Sequence, residues 1–413
     1  MNHRLIRSLD AGIGRLICFL LTSHRRMMGS KSDTQRAPRQ VLFLKLIEQG
    51  ASVLAMPAFK QAANLVGRDQ IFICVFDENR AILDLLAPCP EANIWTLRSK
   101  NVVLFAFDLM LMLRKARRLD IDAVVDLELF SRASAIISYL SGANRRVGLH
   151  RFTMEAPYRG DLLTHKVAYN PYLHTAANYL LLVDCLARPA SDQPINKLPE
   201  PMLPTQHHQF NPTAVDVSEA NALLLQRTAG QVPRGPRFIL NPNASDLLPL
   251  RKWPTPRFIE LARQLLAAYP DGLLILSGND RERKETELMC AAIQSPRLIT
   301  VAGSTSLRQL LTLFTLSDVL VTNDSGPGHF ASMTQIANIV LFGPETPRLY
   351  GPISGNARPM SAQLACSPCV NALNHRLSPC TNNRCMQEIS VATVLAEIRL
   401  SLEGQMPRLA KPA

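Results

Sequence analysis

Short apolar runs alternate with amphipathic stretches along most of this chain. The runs at 41–45 (VLFLK), 71–76 (IFICVF), 93–97 (NIWTL) and 123–127 (AVVDL) are too short for buried helices and rich in β-branched and aromatic residues, so they predict buried strands. Between and after them, apolar residues at helical spacing predict helices at 53–65, 79–86, 102–119, 131–141 and 172–186, with a short strand at 146–148. Pro57 suits the first turns of its helix. A second series of the same kind begins at FILN (238–241). It continues with a helix at 256–268, LLILS (273–277), a helix at 281–292, LITVA (298–302), a helix at 307–316, and VLVTN (319–323). A Gly/Pro turn at 323–328, a helix at 329–334, a strand at 337–342 and a last helix at 391–402 complete it. Strands alternating with helices indicate an α/β protein with parallel sheets covered on both faces, and such sheets bind ligands beyond the carboxyl ends of their strands.

Two segments break the rhythm. In residues 1–40, Leu5, Leu9, Ile13, Leu16 and Leu20 form a helical apolar stripe, with Arg4, Arg7 and Arg15 off it and His24, Arg25 and Arg26 after it. This predicts a basic amphipathic helix and a linker; the helix either lies in a membrane surface or packs on its own domain. Residues 188–236 carry eight prolines around one helical pattern at 218–227 and read as an interdomain connection. The expected organisation is therefore 1–40 helix and linker, 41–187 first Rossmann-like domain, 188–236 connection, 237–390 second Rossmann-like domain, and 391–413 terminal helix and tail.

Composition narrows the partners. The 413 residues carry a net charge of +12, which favours anionic ligands such as phosphorylated substrates or an anionic membrane surface. Aromatic residues are only 6%, and neither an RNA-binding signature nor zinc-finger spacing is present, so nucleic acid is not an expected partner. Cys18, Cys74, Cys89, Cys185 and Cys290 are scattered singly, as buried thiols in a reducing compartment would be. No run approaches the ~20 apolar residues of a membrane span, and no secretory signal is evident. The expected location is cytoplasmic, with peripheral contact at the inner face of the cytoplasmic membrane.

Candidate chemistry concentrates at strand ends. Asp324, Ser325, Gly326 and His329 fall within six residues, directly after the strand at 319–323 and where a helix begins. Unpaired backbone N–H groups and close-approach glycines make such a turn suited to a diphosphate, although Asp324 there also suits a turn cap. In the loop NPNASDLLPLRKWP (241–254), Ser245 offers a hydroxyl and Arg251 and Lys252 offer charge for a phosphate, or the loop is an ordinary one anchored by Trp253. In SGNDRERKE (277–285), Glu282 either caps a helix or accepts ribose hydroxyls. Asp126 ends a strand and Arg132 opens a helix, which places both at the ligand end of the first domain or in a salt-bridged helix start. Cys366, Cys369, Cys380 and Cys385, with His375 among them, have spacing that a structural zinc site can use, with free thiols or disulfides as the alternatives.

Taken together, VLVTNDSGPGHFA (319–331), the FGP at 342–344, the 241–254 loop and the early Gly50…Pro57-Ala58 turn resemble glycosyltransferase family 9, the heptosyltransferase group. The resemblance runs from about residue 41 to about residue 398. It implies a GT-B fold, with two Rossmann-like domains facing across a cleft, the acceptor on the first and the nucleotide-sugar donor on the second. It further implies inversion at the anomeric carbon with no cofactor required, a nucleotide-diphosphate-sugar donor such as ADP-heptose, and a lipid-linked or phosphorylated glycan acceptor of the lipopolysaccharide kind. Asp324, Ser325, Gly326 and His329 would then surround the donor. Arg251 would stand at the family's phosphate-binding lysine with Lys252 beside it, and Glu282 near its nucleoside-binding acid.

One departure matters. The family carries Gly-Asp in the first strand–helix loop, with the Asp as general base, whereas here Gly50 is followed by Ala51 and Ser52. Inversion by direct displacement needs a base within hydrogen-bond reach of the attacking hydroxyl. Glu48, two residues earlier, is the expected substitute, with Gly50 and Ser52 on the acceptor side. A non-catalytic nucleotide-sugar-binding protein is the alternative that the missing Asp raises.

Overall fold

The structure is a computed structural model that describes residues 10–28, 37–204, 209–244, 248–374 and 376–404. Leu5 and Leu9 of the N-terminal stripe, Ser245 and His375 lie outside the described residues. The chain divides into two compact units, Met1–Pro204 with Asn371–Arg376, and Thr205–Val370 with Leu377–Ala413.

The first unit begins with helix α1 (Arg15–Met28) and holds strands β1 (Val41–Leu44), β2 (Ile71–Phe76), β3 (Ile94–Leu97), β4 (Ala123–Asp126), β5 (Arg145–His150) and β6 (His165–Ala168). Their order in the sheet is β3-β2-β1-β4-β5-β6, and every pairing is parallel. The helices between them are α2 (Gln49–Leu54), α3 (Met56–Val66), α4 (Arg80–Leu86), α5 (Val102–Arg118) and α6 (Arg132–Leu140), and α7 (Thr175–Asp184) follows β6. All four residues of β1 and of β4 are buried, as strands covered on both faces must be. Leu42, Leu44, Phe72, Trp95, Val124 and Ile137 form much of the core under α5.

In the second unit, α8 (Ala214–Arg227) precedes β7 (Arg237–Asn241), α9 (Thr255–Ala268), β8 (Leu273–Leu276), α10 (Arg283–Ile293) and β9 (Leu298–Thr300). Then come α11 (Leu307–Thr315), β10 (Val319–Asn323), α12 (Gly326–Ala331), β11 (Ala337–Phe342), α13 (Pro347–Tyr350), β12 (Ala357–Ser361), α14 (Arg384–Gln387) and α15 (Val391–Glu403). The order β12-β11-β10-β7-β8-β9 repeats that of the first sheet, again all parallel. Trp253 is fully buried in this core, beside Phe238, Phe258 and Ile389. Each six-stranded unit has the strand order of a Rossmann-like domain, as a GT-B fold requires. In each, strand order reverses between the two central strands, β1/β4 and β7/β10, where doubly wound sheets bind their ligands.

The structure departs from the sequence expectation in local detail. The Gly50 turn is the helix α2, and the helix expected at 53–65 is broken at Ala55, where α2 ends and α3 begins with Pro57 in its first turn. Helix α12 starts three residues earlier than expected, with Pro327 at its N-terminal end, where a missing N–H costs nothing. Strand β12 escapes sequence reading because an edge strand reading ARPMS, with a proline and no buried residue, lacks the apolar signature. Among the described residues no helix is long and apolar enough to cross a membrane.

Candidate active site

In the first unit the loop after β1 is fastened from below by one carboxylate. Glu128 Oε1 accepts hydrogen bonds from the backbone N–H of Leu46 at 2.7 Å and Ile47 at 3.2 Å, and from Lys45 Nζ at 3.1 Å. Lys45 and Glu128 are both buried, so this is an ion pair sealed from water, and Lys45 Nζ also donates to the carbonyl of Ile47. The sequence pattern singles out neither residue; the signal it offers is a lysine ending an apolar strand, and an acid two residues past another strand.

Glu48 follows at once. Its φ of 67° and ψ of 95° place a non-glycine residue at positive φ, the conformation that strains a side chain with a Cβ. Its carboxylate pairs with the guanidinium of Arg376, itself at φ 56°, from the Asn371–Arg376 segment that belongs to this unit. Gly50 and Ser52 lie on α2 and are buried, and the Ser52 hydroxyl has no hydrogen-bond partner among the described residues.

Asp126 and Arg132 are placed inside the frame of the unit. Asp126 is fully buried; it pairs with Arg159, accepts from Ser134 Oγ at 2.9 Å and from the Glu128 N–H at 3.0 Å. Burial pushes its carboxyl up against the opposing pull of Arg159. Arg132 donates to the Tyr158 carbonyl at 2.8 Å and pairs with Asp10 at 3.0 Å. The salt-bridged helix start therefore describes Arg132, and both side chains are engaged by partners within their own unit. Both are consumed by internal partners because Arg159 and Asp10 come from distant parts of the sequence.

In the second unit the loop at 241–254 is fixed to the end of β10 by Asn323. Its Nδ2 donates to the carbonyls of Pro242 at 3.1 Å and Asn243 at 3.0 Å, and its Oδ1 accepts from the Trp253 N–H at 2.9 Å. Trp253 Nε1 donates to the Ile389 carbonyl at 2.9 Å. So anchored, Arg251 lies over the turn after β10. Its Nη1 donates to the Asp324 carbonyl at 3.2 Å, its Nε is 3.5 Å from Asp324 Oδ2, and its Nη2 is 2.5 Å from Glu345 Oε2. Asp324 and Glu345 are buried. Glu345, directly after the FGP of 342–344, is not apparent from sequence because nothing local ties it to Arg251.

The other expected donor residues divide. Ser325 and Gly326 open α12 and His329 is buried within it, so Asp324, Ser325, Gly326, His329 and Arg251 are brought together around one strand end. A Cβ on Gly326 would come within 3.0 Å of the Phe330 ring, and a larger residue there would need that ring to move. Lys252 is turned to Glu285, with Nζ 2.5 and 2.6 Å from its two oxygens. Glu282 closes a capping box with Asn279, accepting the Asn279 N–H at 2.8 Å, which is the capping alternative. Gly278 keeps this turn tight: a Cβ there would lie 2.8 Å from Asn243 Nδ2 and 3.0 Å from Glu282 Oε2.

The cysteine cluster packs against the 342–344 loop. Cys369 and Val370 N–H groups both donate to the Pro344 carbonyl at 3.0 Å, and a Cβ on Gly343 would lie 3.1 Å from Cys385 Sγ. Cys385 is buried and Cys366 and Cys380 are exposed. Burial raises the Cys385 thiol, with further contributions from Cys369, Cys380 and Cys366, so the four are neighbours. They are not arranged as ligands: among the described residues no three His, Cys, Asp or Glu side chains form a group that could hold a metal ion.

Comparison with known proteins adds to this geometry. Residues 111–378 match the family described as glycosyltransferase family 9 (heptosyltransferase). Lipopolysaccharide heptosyltransferase 2 of Salmonella typhimurium is 29% identical over 165 residues, 39% of this chain and 44% of the relative. The match thus spans less than half the length of that curated relative. Among solved structures, that of E. coli ADP-heptose LPS heptosyltransferase II is similar with a TM-score of 0.65 and 21% identity, covering 88% of this chain and 98% of the other. E. coli heptosyltransferase WaaC with ADP gives a TM-score of 0.61 at 15% identity, covering 88% and 99%.

Proposed function

Since the chain belongs to glycosyltransferase family 9, we propose that it transfers a heptose from ADP-heptose to a phosphorylated or lipid-linked glycan acceptor, with inversion and without a catalytic metal. The observation that carries this is the placement of Arg251 at the switch point of the second sheet, against the Asp324 turn. A guanidinium there sets N–H donors on a planar fork that suits phosphate oxygens. The buried carboxylates of Asp324 and Glu345 hold that fork in place. The names of the similar structures, one with ADP and one an ADP-heptose enzyme, support the choice of nucleotide and sugar.

Glu48 takes the part of general base. The acceptor hydroxyl oxygen bonds to the anomeric carbon while the carbon–oxygen bond to the diphosphate breaks, its electron pair leaving with the nucleoside diphosphate. The hydroxyl proton passes to the Glu48 carboxylate. Arg376 orients that carboxylate. Glu48→Gln keeps the shape and removes the base, so turnover should be lost while ADP binding, measured by calorimetry, is retained; near-normal turnover would remove Glu48 from the mechanism. Dialysis against a chelator should leave turnover unchanged.

The same proposal includes docking at the inner face of the cytoplasmic membrane. Helix α1 buries Cys18 and Thr22 against its own unit and leaves Leu16, Phe19, Leu20, Met27 and Met28 exposed. It ends in Arg25 and Arg26, and α5 likewise exposes Val102, Val103 and Phe107. An apolar face beside arginines suits anionic lipid. Removing residues 1–30 should shift the protein to the soluble fraction of a lysate, and an unchanged distribution would refute the docking.

A further inference from the structure

Beyond the carboxyl end of β5, the loop 151–164 borders a half-open cavity of about 270 Å³ that none of the foregoing chemistry uses. Helix α1 builds one of its walls. Gly160 has a φ of +68°, and a Cβ there would lie 2.5 Å from Thr22 Oγ1 and 2.7 Å from the Cys18 carbonyl, so helix and loop are in direct contact. Thr22 Oγ1 accepts from the Asp161 N–H at 2.8 Å, which pins the loop to the helix. The N-terminal helix is therefore part of a site as well as a surface.

The lining is strongly cationic. Arg26, Arg151, Arg159 and Lys166 face one carboxylate, Asp161. That carboxylate is already neutralised, 3.0 Å from Arg25 and 2.7 Å from Lys166. Burial acts to raise its pKa, but Lys166 and Arg25 outweigh burial and hold it below the usual carboxylate range. Arg159 is 5% exposed; its Nη1 donates to the Leu149 carbonyl at 2.9 Å and its Nη2 meets Asp126, while its buried Nε has no hydrogen-bond partner among the described residues. A buried guanidinium N–H without an acceptor is costly, and an anionic oxygen in the cavity would relieve it. His150 adds a neutral ring: burial first, and then the Lys166 charge, pull it down to about 4. Its Nδ1 accepts from the Phe152 N–H at 3.0 Å, which leaves the ring proton on Nε2 as a donor.

We propose that this cavity binds a phosphate monoester, held by Arg151, Lys166 and Arg159 with Arg26 of the N-terminal helix. Its volume is far above the roughly 10–15 Å³ one water needs, which leaves room for a group larger than a bare ion. It lies at the ligand end of the first sheet. The identity of the carrier, a phosphorylated sugar of the acceptor, rests on the proposed transfer; the headgroup of phosphatidic acid offers the same phosphate monoester.

The test uses the full chain saturated with ADP, so that the loop at Arg251 is occupied. Calorimetry with inorganic phosphate and with a hexose 6-phosphate should show binding that persists under ADP. That binding should weaken at least tenfold in Arg151→Gln and in Lys166→Gln, with circular dichroism and melting midpoints confirming the fold, and recover in Lys166→Arg. Equal affinity in the wild type and both glutamine variants, or binding abolished by ADP, would overturn the proposal. Flotation with vesicles containing phosphatidic acid, whose headgroup is a phosphate monoester, separates the sources. Loss of vesicle binding in the two variants assigns the phosphate to lipid, whereas unchanged vesicle binding with weakened hexose-phosphate binding assigns it to a sugar. Neither readout requires turnover, so failure of heptose transfer would sink the functional proposal and leave this one standing.

Discussion

The two sheets share a strand order, and each reverses that order at its central pair, yet they secure the loops at that point with different chemistry. The first unit uses charge. Lys45 with Glu128 and Arg159 with Asp126 are buried ion pairs, and Glu48 with Arg376 is a third pair above them. The second unit uses the uncharged amides of Asn241, Asn243 and Asn323, which donate to carbonyls and a serine hydroxyl, and it keeps one arginine between two acids. Amide lacing makes a rigid cradle and adds no charge of its own. Buried ion pairs make a loop that fails badly when one partner goes, because the survivor is left charged in a dry place. Each style suits the role proposed for it, a fixed grip on a diphosphate in the second unit and a carboxylate held ready for a proton in the first.

The most severe break should come at Glu48. Glu48→Gln is expected to reduce kcat by about 10²- to 10⁴-fold, the range of a general base, with ADP affinity unchanged in calorimetry. Next is the charge frame itself. Glu128→Ala strands the Lys45 ammonium and unfastens two backbone N–H groups, and should cost about 3–5 kcal/mol in denaturant unfolding. In the second unit, Arg251→Ala should raise the donor KM by about 10- to 100-fold, the worth of one charge-assisted contact, and alter the melting midpoint less than the Glu128 change does.

The smallest effect distinguishes the units by pH. Burial holds His150 and His165 of the first unit at about 4, below the ordinary histidine value of 6.5. Between those values the unfolded chain binds protons that the folded unit refuses, so stability falls as pH drops from about 6.5 to 4. In the second unit, hydrogen bonds from Arg308 and Thr213 hold Asp216 below the usual carboxylate range. The stability this lends is complete above the unfolded value and is lost only as pH falls below 3.8. Calorimetry from pH 7 to 4 should therefore show the first unit's transition moving down before the second's, and a parallel decline of both would erase the distinction.

How much of this was legible in the sequence follows from the range of each interaction. The strands β1, β4, β7 and β10 are visible because burial on both faces writes a continuous apolar run. Asp324 through His329 are visible because they are adjacent in sequence, and the capping of Glu282 is local, closed by Asn279 three residues away. The residues that complete the sites are not local. Arg376 lies 328 positions from Glu48, and Arg159 lies 33 from Asp126. Asp126 and Arg132 look like ligand-facing groups until those distant partners are known, and Lys252 looks like a phosphate grip until Glu285 is placed beside it. Glu345 is equally silent, since only the return of the chain through β11 brings it to Arg251.

The burial of the cysteines has a practical consequence for chemical labelling. Burial pushes Cys18 and Cys290 up to about 11 and Cys74, Cys89 and Cys185 up to about 12, which leaves almost no thiolate at neutral pH. Cys366 and Cys380 are exposed. A maleimide dye applied briefly to the folded protein should therefore mark the segment beside the 342–344 loop, and only there. The protein carries its own site-selective handle next to the Arg251 cradle, and a fluorophore placed on it would test the proposed donor binding without an engineered cysteine.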